Sequence, residues 1–434
     1  MTIIQITPGA GAMYCGNCFR DNALVAALRQ MGHDVTMVPL YLPLTLDEED
    51  QSAGMPIFFG GINVYLEQKS GLFRKAPHWL RRMLASRKML AWASNRTAKT
   101  RPADVGDILL SMLRGEEGRQ ARELDELATW LKRHGKPNVI CLSNALLVGM
   151  ARRLKAELSV PVICTLQGED SFLDALPDTH RDAAWQLLSE RAADVNLFIA
   201  PSRYFAEYMG KRLRLPADRV RVVYNGINLE GYEASAPAVA GGFRGAPVLG
   251  FLARMCREKG LDTLVDAFIL LKQSGRAGNV RLRVGGSCGP ADEPFVKTLR
   301  QRLAAAGYIG QTGFNPNLAH SEKLEFLRSL TLFSVPANYG EAFGLYLIEA
   351  LAAGVPVVQP RIGAFPELIE ATRGGVLCEP GNPKALADAI EQLLTSPKQV
   401  QTLGESGRRA VFEKFSGEEM ARNTLRVLES IQDG

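Results

Sequence analysis

The sequence predicts an α/β protein made of two halves, each carrying its own parallel sheet. Three observations support this. Short β-rich runs alternate with helical patterns along nearly the whole chain. The alternation stops once, over residues 229–247, where alanine, glycine and proline replace any periodic pattern. The chain has 434 residues, more than a single core normally fills. A first domain over 1–230, a linker over 231–246 and a second domain over 247–415 follow from this reading.

The elements come in order. Residues 1–6 read as a first strand, followed by a glycine-rich turn and a helix whose apolar positions Leu24, Ala27, Leu28 and Met31 fall at helical spacing. Gly32 is a plausible helix stop, and the strand over 34–38 begins just after it. This is a βαβ unit, whose right-handed crossover builds a parallel sheet. Further β-rich runs lie at 138–142, 161–166, 197–200 and 220–224 in the first half, and at 248–253, 280–284, 331–335 and 355–358 in the second. Ligands of such sheets bind beyond the carboxyl ends of the strands, so a cleft between the halves is the expected site.

Composition narrows the class. The chain is 46% hydrophobic and 22% charged, with 41 glycines and 23 prolines, which argues against collagen-like, low-complexity or disordered classes. A net charge of +5 over this length is too mild to imply a nucleic-acid partner. No charged leader precedes an apolar run at the amino end, and no apolar stretch approaches the roughly 20 residues of a membrane-spanning helix, so a cytoplasmic protein is expected. The seven cysteines, an odd number, favour reduced thiols. Cys15 and Cys18 form the only close pair, where a redox or metal role is conceivable. Zinc would want a second pair or histidines at ligand spacing, and the five histidines are scattered, so no metal site is expected.

Residues 71–101 carry Arg74, Lys75, Arg81, Arg82, Arg87, Lys88, Arg96, Lys99 and Arg101 and no acid. Trp79, Leu80, Met83, Leu84, Leu90 and Trp92 are interleaved with them. The pattern suits a basic amphipathic surface making peripheral contact with anionic lipid on the inner face of a membrane. A surface for an acidic soluble acceptor and a solvated helix pair are equal readings.

Three constellations carry chemistry. Over 334–354 a strand ends, a loop presents Glu341, and a helix starts near Phe343 with its free amides turned toward an anion such as a diphosphate. Glu349 lies four residues after Leu345, on the same helical face. A carboxylate there can accept from two vicinal hydroxyls, and Glu341 can accept from hydroxyls of a hexose. Over 250–260, directly after the first strand of the second half, Arg254 and Lys259 sit in a loop before a helix, where two cations can neutralise a pyrophosphate. Over 7–17 a glycine-rich turn opens a helix at Gly16, where backbone amides can approach phosphate.

The run from Glu341-Ala342-Phe343-Gly344-Leu345 to Glu349 resembles the E-x7-E signature of family 4-type retaining glycosyltransferases. The resemblance implies the GT-B architecture: two Rossmann-like domains with parallel sheets facing across a deep cleft. It implies that Glu341 contacts the donor sugar and Glu349 the ribose, beside the backbone of Ala342, Phe343, Gly344 and Leu345. Arg254 and Lys259-Gly260 are similar to the family's Arg-x4-Lys-Gly element, which makes Arg254, Lys259 and Glu341 the implied catalytic residues. Cys15-Gly16 stands where the family has a Gly-Gly pair, and Gly32-His33 resembles the end of its first helix. Base recognition is implied near Thr312-Gly313-Phe314. Residues 225–228 and 361–369 resemble further family segments, for which a bland Asn-Gly turn and a loop entering a helix are the alternatives. The segment 416–434 is implied to be a helix that returns to the first domain. Where the family often has a histidine followed by Asp or Gly, this chain has Gln167-Gly168-Glu169-Asp170. Gln167 can hydrogen-bond but cannot shuttle a proton near neutral pH; Gln167, Glu169 and Asp170 are candidates for acceptor binding, with a helix cap an alternative for Asp170.

The expected activity is transfer of a hexosyl group from a nucleotide-diphosphate sugar to an acceptor, with retention, by a front-face route and without a cofactor. No Asp-x-Asp element of the kind that holds Mg²⁺ or Mn²⁺ is present, so no metal is expected. The acceptor can be a sugar, a lipid-linked group or a small molecule, and the number of subunits is not specified. A nucleotide-sugar epimerase, a nicotinamide-dependent oxidoreductase and a silent binding protein are the rivals. The first turn lacks the Gly-x-Gly-x-x-Gly and following acid that the oxidoreductase needs.

Overall fold

The computed structural model describes residues 1–9, 16–44, 46, 48–59, 102–233, 245–276 and 278–432. The basic stretch 71–101, Cys15 and most of the linker lie outside them. The chain forms two compact units, Met1–Tyr224 with Met420–Gly434, and Asn225–Glu419.

In the first unit, strands β1 (Thr2–Thr7), β2 (Asp34–Pro39), β3 (Val139–Leu142), β4 (Val162–Thr165), β5 (Leu197–Ala200) and β6 (Val220–Val222) form one sheet in the order β2-β1-β3-β4-β5-β6. Every pairing is parallel. β3, β4 and β5 are buried at every position, the pattern of strands with both faces covered, and β6 at the edge is largely exposed. Leu24, Val25 and Leu28 of the helix Gly16–Gln30 pack against this sheet, together with Met420, Ala421, Leu425 and Leu428 of the last helix, Gly417–Gln432.

In the second unit, β7 (Val248–Leu252), β8 (Arg281–Gly286), β9 (Thr312–Pro316), β10 (Leu332–Phe333), β11 (Val357–Pro360) and β12 (Gly375–Cys378) form an all-parallel sheet in the order β12-β11-β10-β7-β8-β9. Counted from β7 this is the doubly wound order 3-2-1-4-5-6, and the chain reverses direction across the sheet between β7 and β10. The first sheet reverses between β1 and β3.

The units divide after Tyr224, whereas the sequence pattern placed the first domain's end at residue 230. The reason lies in residues 225–228. Ile227 bridges Ser416, its amide donating to Phe415 O at 3.0 Å while Gly417 N donates to Ile227 O at 2.9 Å. A Cβ on Gly226 would stand 2.1 Å from Ser416 O, so this Asn-Gly segment is more than a bare turn. No helix among the described residues is long and apolar enough to cross a membrane.

Candidate active site

The reversal between β7 and β10 places two loops side by side at the carboxyl edge of the second sheet. The loop after β7 carries Arg254 and Lys259, and the loop after β10 carries Tyr339 and Glu341. Gly260, at φ +71°, caps the helix Leu261–Ser274, and a Cβ there would fall 1.8 Å from Pro336 O. Only glycine lets the loops touch so closely. Asn338 binds them further, its amide donating to Glu258 O at 3.1 Å and its side chain to Arg257 O at 3.3 Å.

Glu341 is held from behind by the segment entering the helix Phe365–Thr372. Ala364 N donates to Glu341 O at 2.9 Å, and Gly363, at φ +63°, leaves the space where a Cβ would come within 2.5 Å of Glu341 N. The run resembling the family's Pro-Glu-Leu segment therefore braces the Glu341 loop.

Lys259 Nζ lies 2.6 Å from Glu341 Oε2 and donates to the Tyr339 hydroxyl at 2.5 Å. That hydroxyl donates in turn to Glu341 at 3.1 Å, and the Tyr346 hydroxyl donates to Glu341 Oε2 at 2.6 Å. Burial pushes the Glu341 carboxyl toward neutrality, but the Lys259 charge and the hydroxyl donors outweigh it and hold the group below its ordinary range. Burial opposes the Lys259 charge as well, and the Glu341 carboxylate reverses that effect, holding the ammonium above its ordinary range. Burial, followed by the adjacent carboxylate, pushes both phenols up, so they remain donors. At neutral pH the centre is one cation and one anion, with the neutral Tyr339 hydroxyl bonded to both and the neutral Tyr346 hydroxyl bonded to the anion.

Arg254 lies on the same loop with its side chain 58% exposed. Its Nε and Nη2 fork onto Asp292, with the shortest contact 2.9 Å from Nη2 to Oδ1, and Asp292 also accepts from Gly289 N at 3.2 Å. Glu349 pairs with Lys323 of the helix His320–Arg328 at 3.0 Å. Asp292, Lys323, Tyr339 and Tyr346 were not identified from the sequence. The tyrosines lie inside the quoted motif window, but nothing in their spacing reports that they bond to Glu341.

Several expectations need correction. The helix after Glu341 starts at Leu345 with Gly344 as its cap, not near Phe343. Ala342 and Phe343 are buried, and the Phe343 ring packs against Phe415 at 6.1 Å. Leu347 N is already bonded to Gly344 O, so the open amides of that turn belong to Leu345 and Tyr346. Thr312 opens β9 at the amino end, with its hydroxyl on Tyr308 O, about 13 Å by strand rise from the carboxyl edge that carries the other residues. Asp170 is not a helix cap: Gly168 caps the helix Glu169–Asp174, and Asp170 is buried in its first turn.

In the first unit Gly16 is the exposed first residue of its helix, and the turn before it lies outside the described residues. Gln167 and Glu169 are brought together. The Glu169 carboxylate accepts from Ala145 N at 2.7 Å and from Gln167 N at 2.8 Å. Burial pushes this carboxyl up to about 7 against those two amides. Asp170 is also raised by burial. Among the described residues, no three His, Cys, Asp or Glu side chains are grouped to hold a metal ion.

Comparison with known proteins gives this arrangement a family. The model for Glycosyltransferase Family 4 matches residues 22–230, and that for glycosyl transferases group 1 matches residues 238–410. The uncharacterized glycosyltransferase MJ1178 of Methanocaldococcus jannaschii is 28% identical over 64% of this chain and 71% of its own length. The phosphatidyl-myo-inositol mannosyltransferase of Mycobacterium leprae is 30% identical over 50% of this chain, a match spanning 55% of that enzyme. Among solved structures, Anabaena HepE in complex with UDP and glucose superposes with a TM-score of 0.71 at 16% identity, covering 99% of this chain and all of that one. Sucrose-phosphate synthase from Thermosynechococcus elongatus superposes with a TM-score of 0.71 at 18% identity, covering 100% of this chain and 99% of that one. These likenesses show a shared two-Rossmann-domain fold. With the two family models together matching most of its length and its E-x7-E glutamates at the carboxyl edge of the second sheet, the chain belongs to the family 4-type glycosyltransferases of GT-B architecture.

Proposed function

We propose that this glycosyltransferase moves a hexosyl group from a nucleoside-diphosphate sugar to an acceptor hydroxyl, with retention and without a required metal. The observation that carries the reading is the Lys259–Glu341 pair at the reversal point of the second sheet, bridged by Tyr339, with Tyr346 donating to the carboxylate. An arriving diphosphate offers Lys259 a stronger anionic partner than Glu341. Once Lys259 turns to it, Glu341 keeps its charge through the tyrosine hydroxyls and is free to accept from hexose hydroxyls.

Arg254, Lys259 and the open amides of Leu345 and Tyr346 supply the positive potential on which the departing diphosphate leaves. The bond from the anomeric carbon to the diphosphate oxygen breaks with its electron pair on that oxygen. The acceptor hydroxyl bonds to the same face of the carbon, and its proton passes to the departing phosphate oxygen. Two side-chain cations fill the role a divalent ion has in other sugar transferases, which supports metal independence. Glu349 grips the ribose hydroxyls with one oxygen while Lys323 holds the other. The likeness to HepE, solved with UDP and with UDP-glucose, favours a nucleotide sugar as donor.

The test is product analysis by NMR, with donor and an acceptor panel in the presence of EDTA. A product of unchanged anomeric configuration is expected. An inverted product, or transfer abolished by EDTA and restored by Mg²⁺ or Mn²⁺, contradicts the proposal.

A further inference from the structure

The reversal point of the first sheet, between β1 and β3, is built differently. A cavity of about 170 Å³ opens there. Its wall takes Pro8 from the end of β1, Tyr41 from beyond β2, Leu146 from beyond β3, Leu109 and Met112 from the helix Pro102–Leu113, and Phe172 from the helix Glu169–Asp174. Among the described residues, no charged side chain lines it. Asn144 is its most polar member, and the Asn144 side-chain oxygen is already bonded to Leu146 N at 3.1 Å.

Two further observations show a built site. The helix Pro102–Leu113 packs on the segment 145–150 so closely that a Cβ on Gly149 would stand 2.2 Å from Met112 O, which fixes two parts of the wall against each other. Tyr41 lines the cavity, and its hydroxyl makes no hydrogen bond to any described residue. Phe172 remains 39% exposed beside it.

We propose that this cavity is a binding site for a compact apolar ring on the acceptor, with the Tyr41 hydroxyl bonding a polar atom at the ring's edge. The assignment rests on the glycosyltransferase reading above and specifies its acceptor. The position is the one where flavodoxin-like strand orders bind their ligands. The volume is right for one ring, since an apolar cavity of about 150 Å³ takes up benzene. The described lining favours this chemistry over a sugar, polyol phosphate or carboxylate, for whose polar groups it offers few partners. Beside the cavity, Glu169 holds Ala145 N, between the lining residues Asn144 and Leu146, so the wall at this point is set by a buried carboxyl.

The experiment has two arms. In the first, toluene and 4-methylphenol are titrated by ligand-observed NMR into the wild-type protein and into Leu146→Trp, whose indole fills the cavity from a half-buried position. Saturable one-site binding is expected in the wild type, with 4-methylphenol the tighter. An affinity at least about tenfold weaker is expected in Leu146→Trp, with an unchanged circular dichroism spectrum. No saturable binding to the wild type, or equal binding to the variant, overturns the site. In the second arm, a nucleotide sugar is supplied with 4-hydroxybenzyl alcohol or with myo-inositol, and products are read by mass spectrometry. Transfer to the aryl alcohol that Leu146→Trp loses is expected. Transfer to inositol that the variant retains overturns the acceptor assignment. If no nucleotide sugar binds, the glycosyltransferase reading fails and takes the acceptor assignment with it, while the toluene titration still decides the cavity.

Discussion

The two sheets reverse direction at equivalent places and present opposite chemistry there. At β7/β10 the chain sets three cations, three acids and two phenols within hydrogen-bonding distance of partners, and it gives the central carboxylate four contacts. At β1/β3 it leaves an apolar cavity with one hydroxyl to spare. On the proposed reading, the same topology fixes where ligands bind, and the side chains on the loops decide what binds. The charged point suits a diphosphate and a hexose. The apolar point suits what receives the sugar.

The difference can be broken most severely at Lys259. In Lys259→Ala, turnover is expected to fall about 10²–10³-fold, because one stabiliser of the departing diphosphate is gone. Steady-state kinetics against a bound donor measures this, and a loss under about fivefold would remove Lys259 from the chemistry.

The next largest effect is on stability in the first unit. The Glu169 carboxyl titrates near 7 when folded and near 4.5 when free, so between those values the folded state holds a proton that the unfolded state has lost. Stability is expected to fall by roughly 3 kcal/mol as pH rises from about 4.5 to 7, and to level off above that. Urea unfolding of the wild type and Glu169→Gln at pH 5 and 7.5 checks the sign. The glutamine variant should lose that part of the slope, and an identical slope in both would refute the assignment.

Tyr346→Phe sharpens the charged point. Removing a hydroxyl bonded to a carboxylate costs about 1.5–3 kcal/mol of that carboxylate's charged form, so the acid limb of the rate profile is expected to move to higher pH while the alkaline limb stays. A lower rate with an unmoved acid limb would mean that Tyr346 only fills space. The smallest effect is expected at Glu349→Ala, where donor affinity weakens about tenfold with turnover little changed. Tighter donor binding there would show that the freed Lys323 matters more than the lost carboxylate.

What the sequence made legible follows from range. The strand–helix alternation is local, and it located ten of the twelve strands and the change between halves, missing β9 and β12. Arg254, Lys259, Glu341 and Glu349 stood out because each motif is short and contiguous. Asp292 did not, because 38 residues separate it from Arg254 and only the β7–β8 pairing brings the two segments together. Lys323 and the cavity were hidden for the same reason, the cavity wall being assembled from several separated segments. Thr312 was misplaced because a motif position does not report which end of its strand it occupies. The early unit boundary depends on Ile227 meeting Ser416, a contact spanning most of the second unit.

The central claim is that the β7/β10 point binds an activated sugar between cations and carboxylates. Calorimetric titration of UDP-glucose, GDP-mannose and ADP-glucose into the wild type and the doubly substituted Arg254→Ala/Glu349→Ala protein tests it most directly. One of these donors is expected to bind the wild type, with affinity at least about a hundredfold weaker in the double variant. Equal affinity in both folded proteins, or no binding of any of the three to the wild type, would contradict the account.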